Sequence, residues 1–460
     1  MTEPISRRRV LQLGAMAPAA LLAACAEPPP SPSPAASSAA ATPTPTSAPS
    51  AAPSATAPPT PAPVAPGRTL FRDAALADGR SPTLQRGISV LVDGGVIRWI
   101  RPVDGEEDAG EAAVVDAAGA TIVPGMVDGH SHVTGPGGAL WIERFNDPPE
   151  RLLADADHNG RLAWSAGIRW LRDVGSPVRV DPTDGRERAL ALGVRDRWQG
   201  RPGFPTLRAA GTWVTRAGSL PSGLAVEARG ADELLALALR QLDDGADLVK
   251  LYLDGPDASV SPWSTAEVRR VVDAVHAQDA RVTAHAGRLS GARVAAAAGV
   301  DAIEHGFALD AAVSALMAAA GIALVTTLTV LHSWIGFSAT TRIPNFTAAG
   351  RAAAHRDQLE AAEASVRVAR DAGVTIAAGT DFGGGSARAN HLAWEVESLV
   401  AAGLEPVDAL AAATWRGGEV LGEPDAGVIR EGGPAAFFLV HGDPLSDPAA
   451  LWRVWRHGDG

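Results

Sequence analysis

The chain has 460 residues, 46% of them apolar, and a formal net charge of −12. That is enough apolar sequence for one or two packed domains, and an acidic chain with no basic stripe argues against nucleic-acid binding. A single cysteine excludes an intramolecular disulfide and a thiolate metal cluster.

In chain order, the N-terminus reads as an address. Ser6-Arg7-Arg8-Arg9-Val10-Leu11 places adjacent arginines before an apolar stretch at 10–24, too short to span a bilayer and suited to a signal h-region. The paired arginines resemble a twin-arginine export signal. Leu22-Ala23-Ala24-Cys25 resembles a bacterial lipobox, which implies lipidation at Cys25, a membrane-tethered protein and an extracytoplasmic location. An ordinary secretory signal with an incidental cysteine is the alternative. Residues 26–67 are nearly all Pro, Ala, Ser and Thr and predict a disordered tether.

Short β runs follow at 69–71, 88–92, 96–100 and 113–115, with Asp93-Gly94-Gly95 as a hairpin signal. A similar run occupies 435–440. The two ends, 68–123 and 427–460, are expected to pair as one small β-sandwich domain. Between them, over 124–426, apolar runs at 126–130, 168–174, 206–210, 248–253, 281–285, 302–305, 323–330 and 375–379 alternate with helical stretches such as 232–243, 265–278 and 348–372. Eight strands alternating with helices predict an α/β fold of the (β/α)8 barrel type. No Gly-x-Gly-x-x-Gly follows the first strand, which counts against a dinucleotide fold.

Six residues suited to metal binding fall on these strands or at their ends: His130 and His132, Lys250, His285, His305 and Asp381. His130 and His132 are alternate residues, so both imidazoles point to one side. The C-terminal ends of barrel strands are where such a fold keeps its chemistry. In this order, with Leu171-Arg172-Asp173-Val174-Gly175 and Asp443-Pro444-Leu445, the chain resembles the amidohydrolase superfamily. The branch it is most similar to holds imidazolonepropionase-like enzymes and carboxylated-lysine dipeptidases.

The resemblance implies one or two divalent ions, with zinc expected. His130, His132 and Asp381 would bind the first, His285 and His305 the second, and a carbamate on Lys250 would bridge them. Asp381 would take a proton from the bridging water and hand one to the departing nitrogen. The implied substrates are small amides such as dipeptides or N-acyl amino acids. If Lys250 stays uncarboxylated, a one-metal cyclic-amide hydrolase or deaminase is the alternative. A catalytically silent tethered binding protein is a further one.

Around this set, Tyr252, Arg288, His332 and His391 are candidate substrate contacts, each with a packing alternative, and Asp128 is expected to orient the histidine pair. His158, His276, His355, His441 and His457 read as solvated or packing residues. Relatives carry Gly-Gly-His after the third strand, whereas this chain reads Arg216-Ala217-Gly218-Ser219-Leu220-Pro221. That departure makes substrate transfer from relatives unsafe. Oligomeric state is not legible.

Overall fold

The eight apolar runs form parallel strands: β1 (Met126–Ser131), β2 (Ile168–Asp173), β3 (Thr206–Ala209), β4 (Leu248–Tyr252), β5 (Arg281–Ala286), β6 (Ala302–His305), β7 (Ala323–Thr326) and β8 (Ile376–Ala378). The structure, a computed structural model, describes residues 67–459 except Ser222 and Ser386. The expected export signal, Cys25 and the tether lie outside the described residues.

Strands β3, β2 and β1 make one parallel sheet. A second runs Val226–Ala228, Trp213–Arg216, then β4 to β8 in order. Hydrogen bonds join the two. Asp381 N–H donates to the His130 carbonyl at 2.8 Å, His132 N–H to the Phe382 carbonyl at 2.9 Å, and Asp247 N–H to the Ala209 carbonyl at 2.9 Å. Val249, Leu251, Val282, Ala284, Ile303 and Leu324 are fully buried, as parallel strands covered on both faces require.

Helices cover the strands for reasons visible locally. Thr265–His276 starts at a capping box, in which Ser264 and Glu267 satisfy each other's backbone N–H. Its Val268, Val271, Val272 and Val275 bury one face. Helices Ala231–Asp243 and Arg351–Asp371 lie close to the expected bounds.

One expectation is corrected. The run 323–330 was expected as a single strand, but β7 stops at Thr326 and a helix, Leu328–Thr340, begins. Two β-branched threonines at this point favour a strand. The Glu395 carboxylate overrides them, accepting from Leu328 N–H at 3.0 Å, Thr329 N–H at 2.8 Å and the Thr329 hydroxyl at 2.6 Å. A carboxylate on those donors does the work of an N-cap.

The ends of the described chain meet in a separate seven-stranded sheet. Its order is Val454–His457, Phe437–His441, Ala120–Pro124, Thr69–Leu76, Gln85–Asp93 and Val96–Pro102, with Ala113–Asp116 also paired to Thr69–Leu76. Gly94 and Gly95 both take positive φ in the hairpin. Phe71 and Phe437, from opposite ends of the sequence, meet edge to face at 5.2 Å.

Candidate metal centre

Two backbone residues set the geometry. His305 and Asp381 are non-glycine residues with φ of 70° and 53°, a conformation that costs energy and clusters at functional sites. Strand alternation would send Glu304 and His305 to opposite faces. The left-handed turn at His305 lets both reach His130: the His305 ring lies 4.6 Å from it and the Glu304 carboxylate 2.6 Å from its Nδ1.

Each histidine is aimed by a partner. His132 Nδ1 donates to the Gly175 carbonyl at 2.7 Å, which can only accept. His130 Nδ1 is held by Glu304, and His305 Nδ1 shares a 2.8 Å hydrogen bond with the Thr327 hydroxyl. With Nδ1 carrying the proton, a neutral ring presents an Nε2 lone pair. Those of His130 and His132 point at Asp381 Oδ1, at 3.5 and 3.1 Å. Lone pairs converging on a carboxylate oxygen call for a cation between them. Among the described residues, the trio His130, His305 and Asp381 brings its ligand atoms within 4.8 Å of one another. His285 is built differently: its Nε2 faces Asp254 at 3.4 Å, and its ring lies 4.5 Å from that of His305. The donor set, imidazole nitrogen and carboxylate oxygen, fits zinc and similar ions.

Lys250 is buried and its Nζ has no hydrogen-bond partner. Burial pulls its ammonium down to about 8; the Glu304 charge opposes this and the Arg172 charge adds to it. This unpartnered buried amine interacts with the charges of Glu304 and Asp381.

Burial alone would raise the Glu304 carboxyl, but Arg172, Lys250 and His130 hold it well below the usual range. Arg172 donates to it at 2.6 Å and to the Gly129 carbonyl at 2.6 Å, and the Thr283 hydroxyl donates to it as well. Asp381 is likewise lowered, its burial outweighed by His130 and His132. Burial, with the neighbouring His285 and His130, drives His305 well below an ordinary imidazole. Burial also lowers His285, against Asp254.

Asp128 accepts from the backbone N–H of His130 and Thr380 and from the Thr380 hydroxyl, tying β1 to the segment that carries Asp381. Glycines press against the ligands from above. A Cβ on Gly384 would sit 2.0 Å from His132 Cδ2, and one on Gly385 2.4 Å from Asp381 Oδ2.

The remaining candidates are placed as follows. Tyr252 stacks on His285 at 4.0 Å, its cross-strand neighbour. Arg288 precedes the helix Leu289–Ala298, and its guanidinium donates to the Gly255 carbonyl at 2.6 Å. His332 and His391 are brought together around Trp394, at 5.6 and 5.5 Å, and His391 also meets Trp452. Burial, then the Arg388 charge, takes His391 down to about 4. Reading the sequence for metal ligands passes over Glu304, Thr283 and Thr327, and gives Arg172 no role. The adjacency of Glu304 to His305 was the available signal, and strand alternation argued against it.

Residues 121–456 match the model of the Amidohydrolase family. An uncharacterised protein of Mycobacterium tuberculosis is 32% identical over 376 residues, covering 80% of this chain and 91% of that protein. Imidazolonepropionase of an Anaeromyxobacter species is 28% identical, over 80% of this chain and 89% of the enzyme. The crystal structure of a Xaa-Pro dipeptidase with methionine bound in its active site superposes with a TM-score of 0.71 at 26% identity, over 84% of this chain and 97% of that one. The histidine pair, the buried lysine and the strand-end aspartate thus stand within a match spanning most of the described residues, and the chain belongs to the amidohydrolase family.

Proposed function

We propose that this chain is a metal-dependent hydrolase of small amides, such as dipeptides or N-acyl amino acids. The observation that carries the reading is the convergence of His130 and His132 Nε2 on Asp381 Oδ1, with both Nδ1 atoms engaged elsewhere. The unpartnered Nζ of Lys250 supports a carbamate bridge. The dipeptidase relative, with an amino acid in its site, is in keeping with substrates of that size.

In this reading His130, His132 and Asp381 would hold one ion, His285 and His305 a second, and Lys250, once carboxylated, would supply oxygen ligands. Such ions, zinc by preference, acidify a water and polarise a carbonyl. Asp381, ionised across the working pH range, takes the water's proton and returns one to the departing nitrogen. Glu304, Gly175 and Thr327 keep the imidazoles aimed throughout.

The same proposal includes a closed (β/α)8 barrel over 124–426 and a small β-sandwich domain from 68–123 and 427–460. It includes a lipid anchor at Cys25 holding the enzyme on the outer face of the cell membrane, behind a tether at 26–67. A second reading is favoured by one observation: the compact trio His130, His305 and Asp381 would serve a single ion. That matches a mononuclear cyclic-amide hydrolase or deaminase, and imidazolonepropionase is among the relatives.

The test is metal content of the full-length chain, expressed with zinc and bicarbonate, beside Lys250→Ala. Two ions per chain, falling in the variant, are expected. One ion, indifferent to Lys250, moves the assignment to cyclic amides and deamination. No metal leaves a tethered binding protein.

A further inference from the structure

One side of the metal-ligand cluster is walled by apolar rings. The Trp213 ring lies 4.9 Å from His132, tilted 35°. Phe145 stands edge-on to both, 6.4 Å from His132 and 5.7 Å from Trp213, and Trp141 continues the series 6.0 Å from Phe145. Leu220 and Leu224 pack into the same cluster. Trp213 is pinned in place, since a Cβ on Gly175 would lie 2.6 Å from its ring. The wall runs outward from fully buried Phe145 to half-buried Trp141 and Leu220, with exposed Leu140 beside them. It is built from the segments after β1 and β3, the former giving Trp141 and Phe145 and the latter Trp213, Leu220 and Leu224.

Nearby guanidiniums have protein partners, Arg388 among them through the Pro136 carbonyl at 2.9 Å. Arg216 donates to the Pro262 carbonyl at 3.1 Å and lies over Trp263. Arg144 is held by Asp147 and Asp155 at 3.1 and 2.9 Å. Against these rings a carboxylate would lose hydration, whereas a ring would gain contact area and edge-to-face geometry.

We propose that this wall is the specificity subsite of the metal centre, and that it takes an uncharged, aromatic-sized group attached to the scissile amide. The inference rests on the amide-hydrolase reading and narrows its substrate class. Simple anionic dipeptide side chains are disfavoured on this side; aromatic acyl or aromatic amino-acid amides are preferred.

The test uses the full-length, metal-replete protein and two matched sets. N-benzoylglycine, N-acetylglycine and N-succinylglycine vary the acyl side. N-acetylphenylalanine, N-acetylalanine and N-acetylaspartate vary the amine side. In at least one set the aromatic member is expected to exceed the charged member in kcat/KM by about tenfold or more. Leu220→Asp and Trp141→Ala, at half-buried positions that spare the ligands, should each lower that ratio. Benzyl alcohol, which has no amide bond, reads the wall without turnover when titrated calorimetrically and should bind less tightly to Leu220→Asp. Cleavage without aromatic preference, or a preference untouched by both variants, overturns the subsite and leaves amide hydrolysis standing. No cleavage of any of the six amides overturns the amide reading, and the subsite with it.

Discussion

Glu304 accepts a hydrogen bond from His130 Nδ1 at 2.6 Å, across 174 residues of chain. One carboxylate thereby joins β6 to β1, fixes the orientation of a candidate ligand imidazole and pairs with Arg172 in a fully buried site. Metal-binding histidines are commonly oriented in this way by a group that never touches the ion.

Glu304→Gln keeps the shape and removes the charge. Metal affinity should fall by about 10- to 100-fold, measured by competition with a chromogenic chelator. Affinity equal to the parent would show that His130 is aimed by something else.

Asp381→Asn should keep substantial metal and lose about 10²- to 10⁴-fold in kcat. Metal analysis and steady-state kinetics on the same preparation separate the two effects. Near-normal turnover would remove Asp381 from the proton-transfer role.

Asp128 gives a pH signature in the metal-free protein. Burial pushes its carboxyl up to about 7, against the hydrogen bonds from Thr380 and His130, while an unfolded aspartate titrates near 3.9. Between those values the folded state binds the extra proton, so stability falls as pH rises from about 4 through about 7. The loss is on the order of 4 kcal/mol. Asp128→Asn should lack this component. Parallel denaturant midpoints for parent and variant over that range would contradict it.

Glu395→Ala removes the acceptor of the Thr329 hydroxyl and of two backbone N–H groups at the β7–helix junction, while the Thr326 hydroxyl keeps the Ala377 carbonyl at 3.4 Å. At about 1–3 kcal/mol for each unsatisfied buried group, destabilisation of at least about 3 kcal/mol is expected in urea unfolding. A shift under 1 kcal/mol would mean that water replaces the carboxylate.

Cys25→Ser should abolish incorporation of radiolabelled palmitate into the expressed full-length protein. Undiminished labelling would refute the anchor.

The eight core strands and their order were legible because each is a short, nearly continuous apolar run, and burial on both faces demands that pattern. The six candidate residues, on strands or just past their ends, stood out because His, Lys and Asp interrupt or follow such runs. Tertiary structure decided the rest. Glu304 faces His130 because His305 adopts a left-handed backbone, which strand periodicity does not reveal. The end of β7 is set by Glu395, 66 residues beyond Thr329. The wall beside His132 assembles Phe145, Trp213 and Leu224 from segments far apart in the chain. Local sequence encodes periodicity and caps through neighbours a few residues apart; the aim of an imidazole and the lining of a pocket depend on contacts between groups that only folding brings within a few ångströms.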